Sequence, residues 1–179
     1  MTALSIKVTA AAVQKALDQY AGKERVRRAL GALGRVLVTR IKLGFQSGSA
    51  PSGAPWRPLV LRSGQPLLDT GRLRNSITSK IDGDRVLVGT NLTYSHDGKT
   101  WSAGRVHQFG ATVLPVKAKM LRVPFGGSVG GAKPKGFLFL KKAVIPARPF
   151  MPLNKAGDVA LPKSWEVSAL NAMAAALEL

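Results

Sequence analysis

The sequence predicts an α+β fold: a small, mainly antiparallel β-sheet packed against a long N-terminal helix, with a C-terminal helix and an extended β-arm or loops. Three patterns support this prediction. Apolar residues recur every three or four positions over 23–45, as on one face of a helix. Residues 77–89 alternate apolar and polar around a turn sequence, which indicates a β-hairpin. An amphipathic, alanine-rich pattern over 165–177 indicates the C-terminal helix.

The bulk composition predicts one soluble domain spanning residues 1–179 that contacts a polyanion. The chain is 45% apolar, enough to bury a core, and carries 27 Lys and Arg against 9 Asp and Glu, a net charge of +18. Such an excess points to nucleic acid or an acidic protein surface. The absence of cysteine excludes disulfides and thiolate chemistry. Neither a signal-peptide pattern nor an apolar run of the ~18 residues that a membrane span needs is present, so no membrane partner is expected.

The positive charge is concentrated in two stretches. Residues 25–68 contain eight basic residues and no acid, and residues 98–157 contain eleven and no acid. Interspersion for solubility would place some acids there. One or two strongly positive surfaces are therefore predicted.

A short edge strand is predicted at Ser5–Val8, followed by two helices. Thr9 is expected to cap the first helix and Gly22 to end it; its apolar positions are Val13, Leu17 and Tyr20. The second and longer helix is predicted from Lys23 to Phe45. Its apolar stripe consists of Val26, Leu30, Leu33, Leu37, Ile41 and Phe45. Another side of this helix carries a basic stripe spaced by seven, formed by Arg28, Arg35 and Lys42.

Residues 46–65 are too rich in Gly, Pro and Ser for regular structure, which predicts a long loop that is mobile or functional. Trp56 and Leu59 indicate that its C-terminal end is pinned. Packing of Trp56 on its own domain is the favoured interpretation, with a role as a partner anchor as the alternative.

A tight corner of one helical turn is predicted at 66–76. Asp69 and Thr70 are candidate capping residues, and Gly71 lets the chain turn. Apolar anchors for docking on the core are Leu67, Leu68 and Leu73. The hairpin that follows turns at Asp82-Gly83-Asp84 and should direct Val86 and Val88 inward.

The second half of the chain is less periodic. Residues 91–111 show no regular pattern, and the alternation of short apolar runs with Gly and Lys predicts a basic β-arm around 112–145, with a flexible loop at its tip. Two prolines make 145–150 extended. Ser164 is expected to cap the last helix, whose apolar face would contain Trp165, Leu170, Met173, Ala174 and Leu177.

The residues needed for catalysis or metal binding are sparse. Ser95-His96-Asp97 is not a credible triad, because adjacent residues cannot point at one another in the required geometry. No acid lies near His107 in the sequence, which argues against a metal site. The glycine-rich loop has Ala132 where a phosphate-binding loop requires Lys. No catalytic, cofactor or metal residues are predicted, so the chain is not expected to be an enzyme.

The charge leaves a nucleic-acid hypothesis open. Seven basic residues are candidates for contacts with DNA in a channel or with an acidic partner: Lys117, Lys119, Arg122, Lys133, Lys135, Lys141 and Lys142. However, the aromatic interleaving of a single-strand platform is absent, and no known nucleic-acid-binding motif is present. A basic accessory protein that binds nucleic acid without sequence specificity is therefore the alternative function.

Four separated segments stand out in chain order: 51–59 (PSGAPWRPL), 67–76 (LLDTGRLRNS), 106–110 (VHQFG) and 145–150 (IPARPF). Each is weak alone, but their order and spacing resemble the virion morphogenesis (tail completion) family of Mu-like tailed bacteriophages. The resemblance covers about residues 3–178. The residues that carry it, and that it marks as assembly residues, are Trp56, Asp69, Thr70, Gly71, Leu73, Ser76, His107, Gln108, Phe109, Gly110, Pro146, Ala147, Arg148, Pro149 and Phe150.

The resemblance implies a non-catalytic structural protein of the phage head–tail joint, without cofactors. As a neck, tail completion or tail-terminator-like component it would form an oligomeric ring, for which six copies are expected. Its partners would be the neighbouring neck, connector and tail tube proteins, with packaged DNA near the channel. It would reside at the head–tail junction of the virion, and in the host cytoplasm during assembly.

Overall fold

The computed structural model describes residues 4–9, 22–96, 98–126, 133–154 and 156–178. A long helix lies between a three-stranded sheet and the C-terminal helix. This is the predicted α+β class. The first helix predicted between Thr9 and Gly22 lies outside the described residues.

Helix α1 spans Gly22–Ser47 and organises the core. All six residues of the predicted apolar stripe are at most 4% exposed. On other sides of the helix, Arg28 and Arg35 are exposed and Lys42 is half-buried. The helical period of the apolar residues thus places one face of α1 in the interior, as predicted.

The main sheet contains β1 (Leu4–Thr9), β2 (Thr78–Asp82) and β3 (Arg85–Thr90) in the order β1-β3-β2, with both pairs antiparallel. The hairpin is confirmed: Asp82 pairs with Arg85 across the turn. β1 is an edge strand, also as predicted. Val86 and Val88 are fully buried, and β2 and β3 pack on α1.

Two short helices, α2 (Arg72–Asn75) and α3 (Ala103–Phe109), precede the C-terminal helix α4, which spans Lys163–Glu178. It packs along α1, where Arg40 Nη2 donates to Ser168 Oγ at 2.5 Å. Its buried residues are Trp165, Ala169 and Met173, spaced by four. Within the described ranges, no helix combines the length and apolarity that crossing a membrane requires.

Two details of the predicted C-terminal helix are wrong. Leu170 is 61% exposed and Ala174 is also exposed, so neither belongs to the packed face. Alanine occurs on several sides of this helix, and the pattern alone therefore does not define which side packs. Ser164 lies inside the first turn rather than before it, because the helix already begins at Lys163.

Residues 91–111 are more regular than predicted. They form the antiparallel strands β4 (Thr93–His96) and β5 (Lys99–Ser102) and helix α3 (Ala103–Phe109). Ser102 caps α3 by accepting a hydrogen bond from Arg105 N at 3.3 Å. The strand pattern was hidden because the described side chains of β4 and β5 are almost all exposed, which removes the apolar alternation.

The predicted arm is present as two successive antiparallel pairs. β6 (Ala111–Val113) pairs with β9 (Ala143–Ile145), and β7 (Leu121–Phe125) pairs with β8 (Gly136–Leu140). The tip, at 127–132, lies outside the described residues. Beside it, Gly126 N donates to Leu61 O at 2.7 Å. This bond fastens the arm to the loop at 46–65.

Candidate functional site

Three of the four sequence segments, 51–59, 106–110 and 145–150, meet in one place, here called the motif hub. Trp56 is 6% exposed, and its Nε1 donates to Pro149 O at 2.7 Å. Its ring lies edge-on to the ring of Phe45, with the two centroids 5.5 Å apart. The ring of Phe150 also packs on Phe45, at a centroid distance of 5.3 Å. The favoured interpretation of Trp56, packing on its own domain, is confirmed.

Gln108 ties helix α3 to the segment 145–150. Its Oε1 accepts from Phe150 N and Met151 N, both at 3.0 Å, and its Nε2 donates to Met151 O at 3.1 Å. The side chain is 2% exposed, so all three bonds are shielded from water. A neutral amide is suited to this position because it both accepts and donates without a buried charge.

Arg148 holds all three segments of the motif hub together. Its backbone N–H donates to His107 O at 2.8 Å, while its Nε donates to Arg57 O at 3.0 Å and its Nη2 to Pro58 O at 3.4 Å. Burial lowers the pKa of this guanidinium, and the positive charges of Arg62 and Arg57 lower it further. Arg148 as a whole residue is 6% exposed, and its guanidinium is chiefly a structural donor.

Gly110 allows the backbones of two segments to touch. Its φ of 77° and ψ of 171° lie in a region that is essentially restricted to glycine. A Cβ there would lie 2.9 Å from both Ala147 N and Ile145 O. Glycine is thus required at this motif position for two independent reasons.

Gly110→Ala is accordingly expected to lower the free energy of unfolding by at least about 2 kcal/mol, through backbone strain and the close backbone contacts. Gly53→Ala is the matched control, because Gly53 also has a positive φ, 86°, but no atom within 4 Å of an added Cβ. That variant should lose about 1 kcal/mol. Urea unfolding measures both values, and equal losses would rule out the contact with 145–147.

The fourth segment, the corner at 67–76, is built differently from the prediction. Helix α2 is the single turn Arg72–Asn75, and Gly71, at a φ of 73°, occupies its N-cap position without a side-chain hydrogen bond. The prediction that Asp69 and Thr70 cap this turn is therefore wrong, because both precede the cap residue. Leu73 is buried, and Ser76 Oγ bonds to Leu73 O at 2.8 Å and Thr90 Oγ1 at 2.6 Å. The bond from Ser76 to Thr90 attaches the corner to strand β3.

A cleft of about 280 Å³ joins the corner to the motif hub. Its lining comes from the corner, from the motif hub and from two residues outside them, Arg62 and Tyr94: Leu59, Arg62, Leu67, Asp69, Thr70, Gly71, Arg72, Leu73, Tyr94, His107 and Arg148. Three arginines and one aspartate make the lining positive, and Arg62 Nη1 lies 4.0 Å from Asp69 Oδ1. His107 and Asp69 thus line the same cleft, although no acid lies near His107 in the sequence. The cleft offers hydrogen-bond donors and positive charge, which suits an anion.

His107 is unusual within this cleft. Its Nδ1 is buried and has no hydrogen-bond partner among the described residues. Burial lowers the pKa of the imidazole below 6.5, and the nearby Arg148 lowers it further. The residues described by the structure include no group of three or more His, Asp or Glu side chains placed to hold a metal.

The lowered pKa of His107 predicts a loss of stability on acidification. Because the unfolded chain takes up a proton near pH 6.5 and the folded chain only at lower pH, the free energy of unfolding should fall as the pH drops from 6.5 toward the folded pKa. Above pH 6.5 both states are neutral and the effect is absent. In denaturant titrations His107→Gln should flatten this dependence. Equal slopes for wild type and His107→Gln would contradict the assignment.

The arm carries a second candidate surface. All seven basic residues singled out in the sequence are exposed. Interleaved with them are exposed apolar side chains: Val113, Leu114, Val116, Met120, Phe125, Phe137, Leu138, Phe139 and Val144. The Arg122 guanidinium lies 3.7 Å from the centroid of Phe137, a cation–π contact on the hairpin surface. A surface both apolar and basic is typical of protein–protein contacts.

The sequence alone did not reveal three residues that line the cleft, Arg62, Arg72 and Tyr94. Arg72 lies within the corner motif and could have been singled out there. Arg62 and Tyr94 belong to segments without regular patterning, and only the fold brings them to His107 and Arg148.

Comparison with known proteins identifies a family and a relative. A model of the phage virion morphogenesis family matches residues 8–162. "Mu-like prophage FluMu G protein 2" of Haemophilus influenzae is 30% identical over 118 residues, which are 66% of this chain and 59% of the length of that protein. No solved structure matches the chain.

Proposed function

The chain belongs to the phage virion morphogenesis family, and from this premise we propose that it is a structural component of the head–tail joint. Virion assembly is the role that the family supports. Within it, this protein completes the tail as a neck or tail-terminator-like component and connects it to the capsid around the DNA channel. It acts through binding surfaces and performs no catalysis.

The exposed surface of the arm carries this proposal. Phe139 and Val144 are 64% and 65% exposed, an arrangement that costs free energy in water unless a partner covers them. The exposed residues Lys141 and Lys142 lie between them in the sequence. The arm therefore supports docking on a partner with an apolar surface bordered by acids, such as a neighbouring neck, connector or tail tube protein.

We further propose that the protein forms a ring of six copies, because components of a phage tail share one symmetry axis. Such a ring surrounds the path of the DNA, so part of the acid-free region 98–157 faces either packaged DNA or an acidic neighbour. The assembled protein resides at the head–tail junction, and the free protein in the host cytoplasm.

Nucleic-acid binding without sequence specificity is the second candidate, favoured by the seven exposed basic residues of the arm. The two functions differ in what the isolated protein does. An accessory DNA-binding protein would bind duplex DNA with a steep salt dependence, form no ring and be absent from particles.

Removal of the gene from the phage tests the proposed function. Lysates should accumulate DNA-filled heads and separate tails, seen by negative-stain electron microscopy, and supplying the protein in trans should restore joined particles. Complete particles in the absence of the protein would contradict a role at the joint.

A further inference from the structure

The positive charge of the cleft is only partly neutralised by the chain itself. Arg148 is a buried residue whose guanidinium donates to two carbonyl groups but has no ion pair among the described residues. Arg62 faces Asp69 only at 4.0 Å, and the Asp69 side chain is 50% exposed. Arg72 also lines the cleft and is exposed. A buried guanidinium ordinarily has an anionic partner, so the cleft is electrostatically incomplete.

His107 gives an independent sign of an unfilled site. Its buried Nδ1 has no partner within the described parts of the chain, whereas buried polar atoms are almost always hydrogen-bonded. This imidazole lines the same cleft as Arg148. The two residues with unmet electrostatic or hydrogen-bonding requirements thus line the same cleft.

We propose that the cleft binds the carboxylate side chain of an acidic segment of a neighbouring protein. An arginine fork matches a carboxylate in shape and charge. The walls suit the remainder of such a side chain, because Leu59, Leu67 and Leu73 are apolar and Tyr94 offers a ring. The ligand is thus a Glu or Asp side chain entering end-on, with its methylene carbons against the leucines.

The shape of the cleft favours a protein ligand over DNA. The phosphates of a duplex lie on the surface of a stiff rod that is far wider than a cleft of about 280 Å³. Arg148, 6% exposed, is within reach of a narrow side chain but not of such a rod. The exposed lysines of the arm are better placed for phosphates.

Asp69 competes with the proposed carboxylate ligand for the positive charge of Arg62. It is the acidic residue in the cleft lining and lies beside Arg62. Its negative charge therefore partly neutralises the arginine that the ligand would contact. Removal of its charge should strengthen binding, whereas removal of the charge of Arg62 should weaken it. Both side chains are partly exposed, so neither change leaves a fully buried group without a partner.

The test follows the imidazole signals of the purified, full-length protein by NMR while a hexaglutamate peptide is added at about 0.15 M salt. The chain contains two histidines, and His96→Gln identifies the signal of His107. The peptide should shift that signal saturably, and hexaglutamine should not. Asp69→Asn should tighten binding by roughly three- to tenfold and Arg62→Gln should weaken it by a similar factor.

The matched controls are Asp84→Asn and Arg25→Gln, which make the same charge changes outside both the cleft and the arm. Equal effects of Asp84→Asn and Asp69→Asn would show attraction by the whole charge and overturn the proposal, as would a His107 signal that hexaglutamate leaves unmoved. A signal moved by duplex DNA or inorganic phosphate but not by the peptide would identify a phosphate site instead. That the partner belongs to the virion rests on the proposed function; the peptide test uses isolated protein and can fail while the protein is still found at the joint.

Discussion

Phage carrying Lys133, Lys135, Lys141 and Lys142 all changed to Glu are expected to produce few joined particles. Each of these lysines is exposed on the arm, so the changes spare the core and reverse the charge of the docking surface. Like charges facing each other across an interface cost several kcal/mol, which corresponds to a loss of affinity of roughly a hundredfold or more. Infectious titre and the fraction of joined particles in micrographs measure the effect.

A variant with the same change in net charge at a different place controls for this result. Lys23, Arg25, Arg27 and Arg28 lie in the first turns of α1 and are likewise exposed. Changed together to Glu, they should leave joining largely intact if the arm is the docking surface. Normal infectious particles from the arm variant would refute the assigned role of the arm.

Trp56→Ala is expected to lower the free energy of unfolding by about 3–5 kcal/mol, the range for loss of a large buried aromatic side chain. The change would leave a cavity against Phe45 and Phe150 and remove the donor to Pro149 O, loosening the motif hub. Urea unfolding followed by far-UV circular dichroism measures the loss.

Trp101→Ala is the matched control, because the same side chain is removed from a position that is 44% exposed. It should cost less than about 1 kcal/mol. Trp56→Phe, which keeps most of the packing but not the hydrogen bond, should fall between the two. A loss for Trp56→Ala as small as that for Trp101→Ala would mean that the motif hub does not stabilise the fold.

The periodic elements of the fold were predictable because burial on one side leaves a regular pattern. Helix α1 and strand β3 each bury one face, and the sequence shows periods of 3.6 and 2 there. β4 and β5 lack such a face, and α3 is only seven residues long. Strands that are exposed on both sides and helices of only two turns leave too little hydrophobic pattern in the sequence to detect.

The motif residues could be grouped from the sequence, but neither their geometry nor the presence of Arg62 and Tyr94 in the cleft could be predicted. Order and spacing grouped the motif residues, yet the bond from Trp56 to Pro149 joins residues 93 positions apart, and no local pattern encodes it. Asp69 shows the converse error: its residue type suits a helix cap, but Gly71 takes that position. Tertiary contacts determined the role of each residue.

The most direct test of the proposed function is an electron cryomicroscopy reconstruction of the phage neck from particles in which this protein carries a small C-terminal tag. The proposal predicts a single ring of tagged density between capsid and tail, with six copies around the DNA channel. Tagged density along the tail tube, or particles that lack the protein, would contradict it.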